Sequence, residues 1–136
     1  MSYAGDVTPA EAFAAASEGG ALLVDVRTRA EWTYVGVPDL SDSGHRVAFV
    51  EWSTFPDGRV NERFVDEVRA AGHTEGRPVY LICRSGVRSV AAATALTEAG
   101  IGPAYNVLEG FEGPHDAQGH RTVAGWKNAG LPWRQG

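Results

Sequence analysis

Pro78-Val79-Tyr80-Leu81-Ile82-Cys83-Arg84-Ser85-Gly86-Val87-Arg88-Ser89 joins an apolar run to a polar, glycine-containing turn. The first half is rich in β-branched and aromatic residues and predicts a buried strand over 78–83. A helix is predicted over 87–99, stopped by Gly100. The cysteine therefore stands where a strand ends and the next helix begins, beside backbone N–H groups that have no partner within the helix. Those donors, the helix dipole, Arg84 and Arg88 all favour an anion at the sulfur. A thiol with a pKa of ~8.5 is only about 3% thiolate at pH 7. Mostly thiolate requires a shift of roughly two units, or ~2.7 kcal/mol. A helix dipole supplies at most ~2 kcal/mol of that, so the loop amides and arginines must contribute. Gly86 permits a backbone geometry closed to other residues. Ser89 suits either a helix cap or a donor to the sulfur.

The same alternation runs outward from this segment. Thr8-Pro9-Ala10-Glu11 and Thr28-Arg29-Ala30-Glu31 are capping boxes, the first with proline at the opening helical position. Between them, residues 21–26 read as a buried strand. Further strands are expected over 47–50 and 104–108, with a short edge at Asp6-Val7. Asn61 is placed to cap a helix over 62–71, with Val60 positioned to staple against Val65. Residues 109–121, rich in Gly, His, Asp and Glu, are expected to form a surface loop. Strands alternating with helices predict a parallel sheet flanked by helices, with ligands beyond the carboxyl ends of strands, where Asp25 and Cys83 fall.

The 136 residues suit one domain, 1–136, large enough to bury a core without staples. Hydrophobic residues make up 43% and charged residues 21%, which argues against disorder and coiled coil. With 12 basic and 17 acidic residues the net charge is −5, the wrong balance for gripping nucleic acid. No apolar stretch is long enough to span a bilayer, and the first residues lack a signal-peptide pattern, so a cytoplasmic location is expected. Cys83 is the only cysteine, which excludes an internal disulfide. Together with His45, His73, His115 and His120 it matches no zinc spacing. No metal or other cofactor is expected. His115-Asp116 and His120-Arg121 are read as solvated loop residues. Asp25, Arg27 and Glu31 are read as a structural ion-pair set in preference to an acidic-substrate site. Trp52 and Phe111 are guessed to wall the cysteine.

Loop length narrows the chemistry. Four residues separate Cys83 from Arg88. A cysteine phosphatase or arsenate reductase loop is one residue longer and makes a wider cradle for a tetrahedral anion. The shorter loop resembles that of the rhodanese family of sulfurtransferases. Asp25-Val26-Arg27 followed by Glu31-Trp32 is similar to that family's D-V-R-x-x-x-E-[WY] signature. Asn106-Val107-Leu108-Glu109-Gly110-Phe111-Glu112-Gly113 is similar to its strand-and-glycine segment, and Gly125-Trp126 through Leu131-Pro132 to its closing G-W-x-x-x-G-[LY]-P. One departure stands out. Gly36-Val37-Pro38-Asp39-Leu40-Ser41 replaces the common G-H-[IV]-P-G-A, and the segment over 42–58 is longer than usual.

The resemblance implies a rhodanese-like α/β fold, a mostly parallel sheet of about five strands with helices on both faces. It implies that Cys83 carries a persulfide, held by Arg84, Ser85, Gly86, Val87, Arg88 and Ser89 and supported by Asp25 and Arg27. The implied partners are a small sulfane-sulfur donor and a thiol acceptor such as glutathione or thioredoxin. The alternatives are a non-enzymatic sulfur carrier or sensor, which keeps the same loop, and a cysteine-dependent phosphatase or arsenate reductase, which shares its anion-binding logic.

Overall fold

The computed structural model describes residues 3–53, 58–72, 76–84, 87–113 and 125–135. Five parallel strands form the central sheet: β1 (Gly5–Val7), β2 (Leu22–Asp25), β4 (Ala48–Phe49), β5 (Val79–Ile82) and β6 (Ala104–Val107), in the order β1-β6-β5-β2-β4. Asp25 stands opposite Ile82 in register, so β2 and β5 end side by side near the centre of the sheet.

Strand alternation divides the core into two faces. Leu22, Val24, Val79, Leu81 and Cys83 share one cluster with Phe64 and Val68 of α3 (Phe64–Ala70) and with Ala92, Ala93 and Leu96 of α4 (Val87–Glu98). Leu23 and Ile82 join Ala12 and Ala16 of α1 (Pro9–Ser17), with Phe111 and Trp126, on the other. Because both faces are covered, the strands read as continuous apolar runs. Each buried Val, Leu or Ile side chain stabilises the fold by about 1.5–3 kcal/mol. The fold class read from the sequence is therefore borne out.

Both capping boxes form. Thr8 accepts from the Glu11 N–H at 3.1 Å while Glu11 accepts from the Thr8 N–H at 2.8 Å. Thr28 and Glu31 do the same at the start of α2 (Arg29–Tyr34). Each such cap contributes about 1 kcal/mol.

Three expectations need correction. The third helix begins at Phe64, with Arg63 rather than Asn61 as its N-cap. Asn61 instead makes an Asx turn to the Arg63 N–H and ties the preceding segment down through Glu51 O and Glu67 Oε1. Val60 is exposed and bridges Ser53, so it does not staple the helix. The surface loop expected from residue 109 onward is not one over 110–113: Glu109 is exposed, but Gly110, Phe111 and Gly113 are buried in a turn packed on the sheet. A two-stranded antiparallel ribbon, β3 (Val37–Pro38) with β7 (Trp133–Arg134), escaped the sequence reading altogether. His73, His115, Asp116, His120 and Arg121 lie outside the described residues.

Candidate active site

Cys83 follows β5 directly, and its side chain points to the α3/α4 face with the residue only 1% exposed. Ser89, in the first turns of α4, comes back over it. The Ser89 N–H donates to Cys83 Sγ at 3.4 Å, and the Ser89 hydroxyl lies 3.2 Å from the same sulfur. A backbone N–H at the start of α4 thus faces the sulfur at the end of β5. Ser85 and Gly86 lie outside the described residues. Val87 opens α4 and is exposed, as is Arg84.

Backbone layers brace the loop from beneath. Phe111 N–H donates to Cys83 O at 2.7 Å, and the N–H groups of Glu112 and Gly113 donate to Arg84 O at 2.9 and 3.1 Å. A second layer backs the first: Trp126 N–H reaches Gly110 O at 2.9 Å, and Lys127 N–H reaches Phe111 O at 3.0 Å. Gly110 sits at φ +62°, and a Cβ there would collide with Cys83 O and lie 2.6 Å from the Arg84 carbonyl. The glycine-rich and Gly-Trp segments quoted above thus act on the cysteine through its own backbone.

Asp25 and Arg27 form a fully buried ion pair, Arg27 Nη2 to Asp25 Oδ2 at 2.6 Å with Nε donating at 2.9 Å. Arg27 also donates to Gly36 O at 2.7 Å, and its guanidinium carbon lies over the Phe111 ring, 4.3 Å from the centre. Breaking such a buried pair from one side costs about 3–5 kcal/mol. These two residues stiffen the strand end and the turn under the loop. Phe111 is thus a floor rather than a wall, and Trp52 packs edge-on against Phe64 at 5.2 Å.

Glu31 closes the α2 capping box and also receives Arg88, Nη1 to Oε1 at 2.6 Å and Nη2 to Oε2 at 2.9 Å. Burial pushes the Glu31 carboxyl up. The bonds from Arg88 and the Thr28 N–H, with the charges of Arg88 and Arg27, outweigh it and hold the carboxyl at about 2. The same Glu31 bond raises Arg88 further against the effect of burial. Arg84 makes no ion pair among the described residues. It lines a cleft of about 520 Å³ with Thr28, Glu31, Tyr34, Ser53, Arg88 and Glu112. His45, by contrast, lies against Gly19 in a separate groove with Asp39 and Arg46.

Sequence reasoning missed Asn106 and Asp6 as neighbours of the cysteine. Ser89 Oγ donates to Asn106 Oδ1 at 2.5 Å, and Asn106 Nδ2 donates to Asp6 Oδ1 at 3.0 Å. A polar residue inside an otherwise apolar strand was the available signal.

Parallel sheet, strand-end thiol and short loop together define a cysteine-loop α/β protein. The Rhodanese-like domain family matches residues 8–117, and the chain belongs to that family. An uncharacterized protein of Rickettsia conorii is 38% identical over 118 residues, 87% of this chain and 86% of its own. The crystal structure of Rv0390 from M. tuberculosis is 57% identical, covers 99% of this chain and 100% of its own, and superposes with a TM-score of 0.90. The polysulfide-sulfur transferase homodimer of Wolinella succinogenes, 21% identical over 96% of this chain and 77% of its own, has a TM-score of 0.63 and shares the fold. Among the described residues no helix is long and apolar enough to cross a membrane.

Proposed function

We propose that this protein is a sulfurtransferase that moves sulfane sulfur through a persulfide on Cys83. The observation that carries the reading is the sulfur at the carboxyl end of β5, receiving the Ser89 N–H of α4. In the first half-reaction the thiolate attacks the outer sulfur of thiosulfate, or the single sulfur of mercaptopyruvate, whose C–S bond breaks with the electron pair leaving on the pyruvate enolate. With thiosulfate, an Sγ–S bond forms, the donor S–S bond breaks, and the electron pair leaves with sulfite. In the second, a thiol such as glutathione or thioredoxin (or cyanide in an assay) attacks the outer sulfur and returns the thiolate. This covalent scheme predicts ping-pong kinetics and uses no cofactor. Arg84 offers its charge to the incoming anion, while residues 85–89 hold the loaded sulfur. The proposed setting is the cytoplasm.

Incubation with thiosulfate should add about one sulfur atom to the intact protein by mass spectrometry, reversible by cyanide. Cyanide reversal separates a persulfide from a sulfinic acid of nearly equal mass. Cys83→Ser should abolish the adduct. A Cys83 that no sulfane donor charges, or phosphomonoester turnover rivalling sulfur transfer, would end this reading.

A further inference from the structure

A line of hydrogen bonds runs from the buried sulfur to the protein surface. It passes from Cys83 Sγ to Ser89 Oγ (3.2 Å), to Asn106 Oδ1 (2.5 Å), and from Asn106 Nδ2 to Asp6 Oδ1 (3.0 Å). Cys83, Ser89 and Asn106 are buried, and Asp6 is exposed at β1.

The direction of each bond follows from counting hydrogens. A carboxylate has none to give, so Asp6 must face the amide NH₂ of Asn106. That turns the Asn106 oxygen toward Ser89. The Ser89 hydroxyl has one hydrogen, and the Asn106 oxygen takes it. Toward Cys83 the hydroxyl is then left with lone pairs only. A thiol can donate to those lone pairs, whereas a thiolate meets them as a repulsive dipole.

We propose that Asp6, acting through Asn106, fixes Ser89 as a hydrogen-bond acceptor toward Cys83, so that this side of the pocket favours an uncharged γ sulfur. Asp6 and Asn106 are positioning residues in this scheme. The proposal deepens the sulfur-transfer reading. In a persulfide the charge sits on the outer atom and the γ sulfur is neutral, so the same orientation favours the loaded cysteine over the bare thiolate. Of the other charged groups, Arg88 of α4 interacts with Cys83 and is itself acted on by Glu31 of α2 and Asp25 of β2, while Arg84 is next to Cys83 in the chain. They are common to all the variants below.

The test is a titration of the unloaded thiol by its thiolate ultraviolet absorbance, each protein being read against its own Cys83→Ser counterpart. Asp6→Ala frees the Asn106 amide to turn over and the Ser89 hydroxyl to donate to sulfur. The midpoint should fall by about half a unit or more, roughly a threefold gain in thiolate below it. The decisive comparison is the same change in a Ser89→Ala background, where no hydroxyl remains to reorient and the shift should vanish. An equal shift in both backgrounds would mean simple loss of a negative charge and would overturn the proposal, as would no shift from Asp6→Ala alone. Should Ser89→Ala fail to fold, Asp6→Asn replaces it. That variant removes the charge but still offers Asn106 an oxygen, so its shift must be smaller than that of alanine, and equality overturns the proposal. No sulfur donor enters this titration, so it can fail while sulfur transfer stands, and the converse.

Discussion

Arg88 and Glu31 meet through two parallel bonds, 2.6 and 2.9 Å, that join the first turn of α4 to the first turn of α2. Because Arg88 is held by Glu31, it is expected to act on the cysteine mainly by keeping the start of α4 in place. Arg88→Ala should lower turnover and stability together. Arg88→Lys should rescue little, because a lysine cannot reproduce the two-pronged contact. A double-mutant cycle with Glu31→Gln, read by denaturant unfolding, should give a coupling of about 1–3 kcal/mol. A coupling near zero would return Arg88 to a direct role on the anion.

The depressed Glu31 carboxyl makes an acid limb predictable. Its folded value of about 2 lies below its ordinary 4.5, so the folded state binds this proton less readily than the unfolded state. The resulting stabilisation is complete above about pH 4.5 and is lost as pH falls toward 2. Screening at this partly exposed pair limits it to on the order of 1–2 kcal/mol. Melting temperatures of wild type and Glu31→Gln should therefore converge as pH is lowered across that window. Parallel curves would mean that the pair does not link to folding.

Arg84 lines the cleft and makes no ion pair among the described residues, so its removal should act on donor binding. Arg84→Ala is expected to raise KM for thiosulfate about tenfold, with kcat within about a factor of three of wild type. Added salt should narrow the gap between the two proteins. A fall in kcat with KM unchanged would assign Arg84 to the transition state instead.

Gly110→Ala should be severe although the residue bears no chemistry. The left-handed backbone and the collision with the Cys83 and Arg84 carbonyls both oppose a Cβ. A loss of about 2–4 kcal/mol in urea unfolding is expected, with a matching loss of persulfide formation. A variant of wild-type stability would show that the 109–113 turn can move away from the loop at little cost.

The elements were legible where local rules act alone. Thr8 and Thr28 announced their capping boxes within four residues, and the apolar runs over 22–24 and 79–82 are buried apart from a half-buried Tyr80, as their sequences imply. Asn61 misled because an asparagine before a helix serves equally as a cap or as an Asx turn, and only its contacts to Glu51 and Glu67 decide between them. The β3–β7 ribbon was invisible because two-residue strands carry no periodicity and their pairing is non-local. Within the site, Cys83 and its loop could be found from spacing. The partners of Ser89 and Arg88 could not, since Asn106 and Glu31 lie 17 and 57 residues away in the chain.

The bond from Asn106 to Asp6 spans 100 residues, and the bond from Gln135 to the Tyr34 carbonyl spans 101. On the ribosome this separation becomes a matter of timing. The β2 and β5 strands can pair as soon as both have emerged, but β1 must wait for β6 and β3 for β7. A chain halted soon after α4 would already hold its cysteine, yet would lack the 109–113 turn beneath the loop and the acceptor behind Ser89. During that interval Ser89 would already lie beside the thiol, but nothing would yet orient its hydroxyl or brace the loop from below. Those two supports are acquired only with the last quarter or so of the chain.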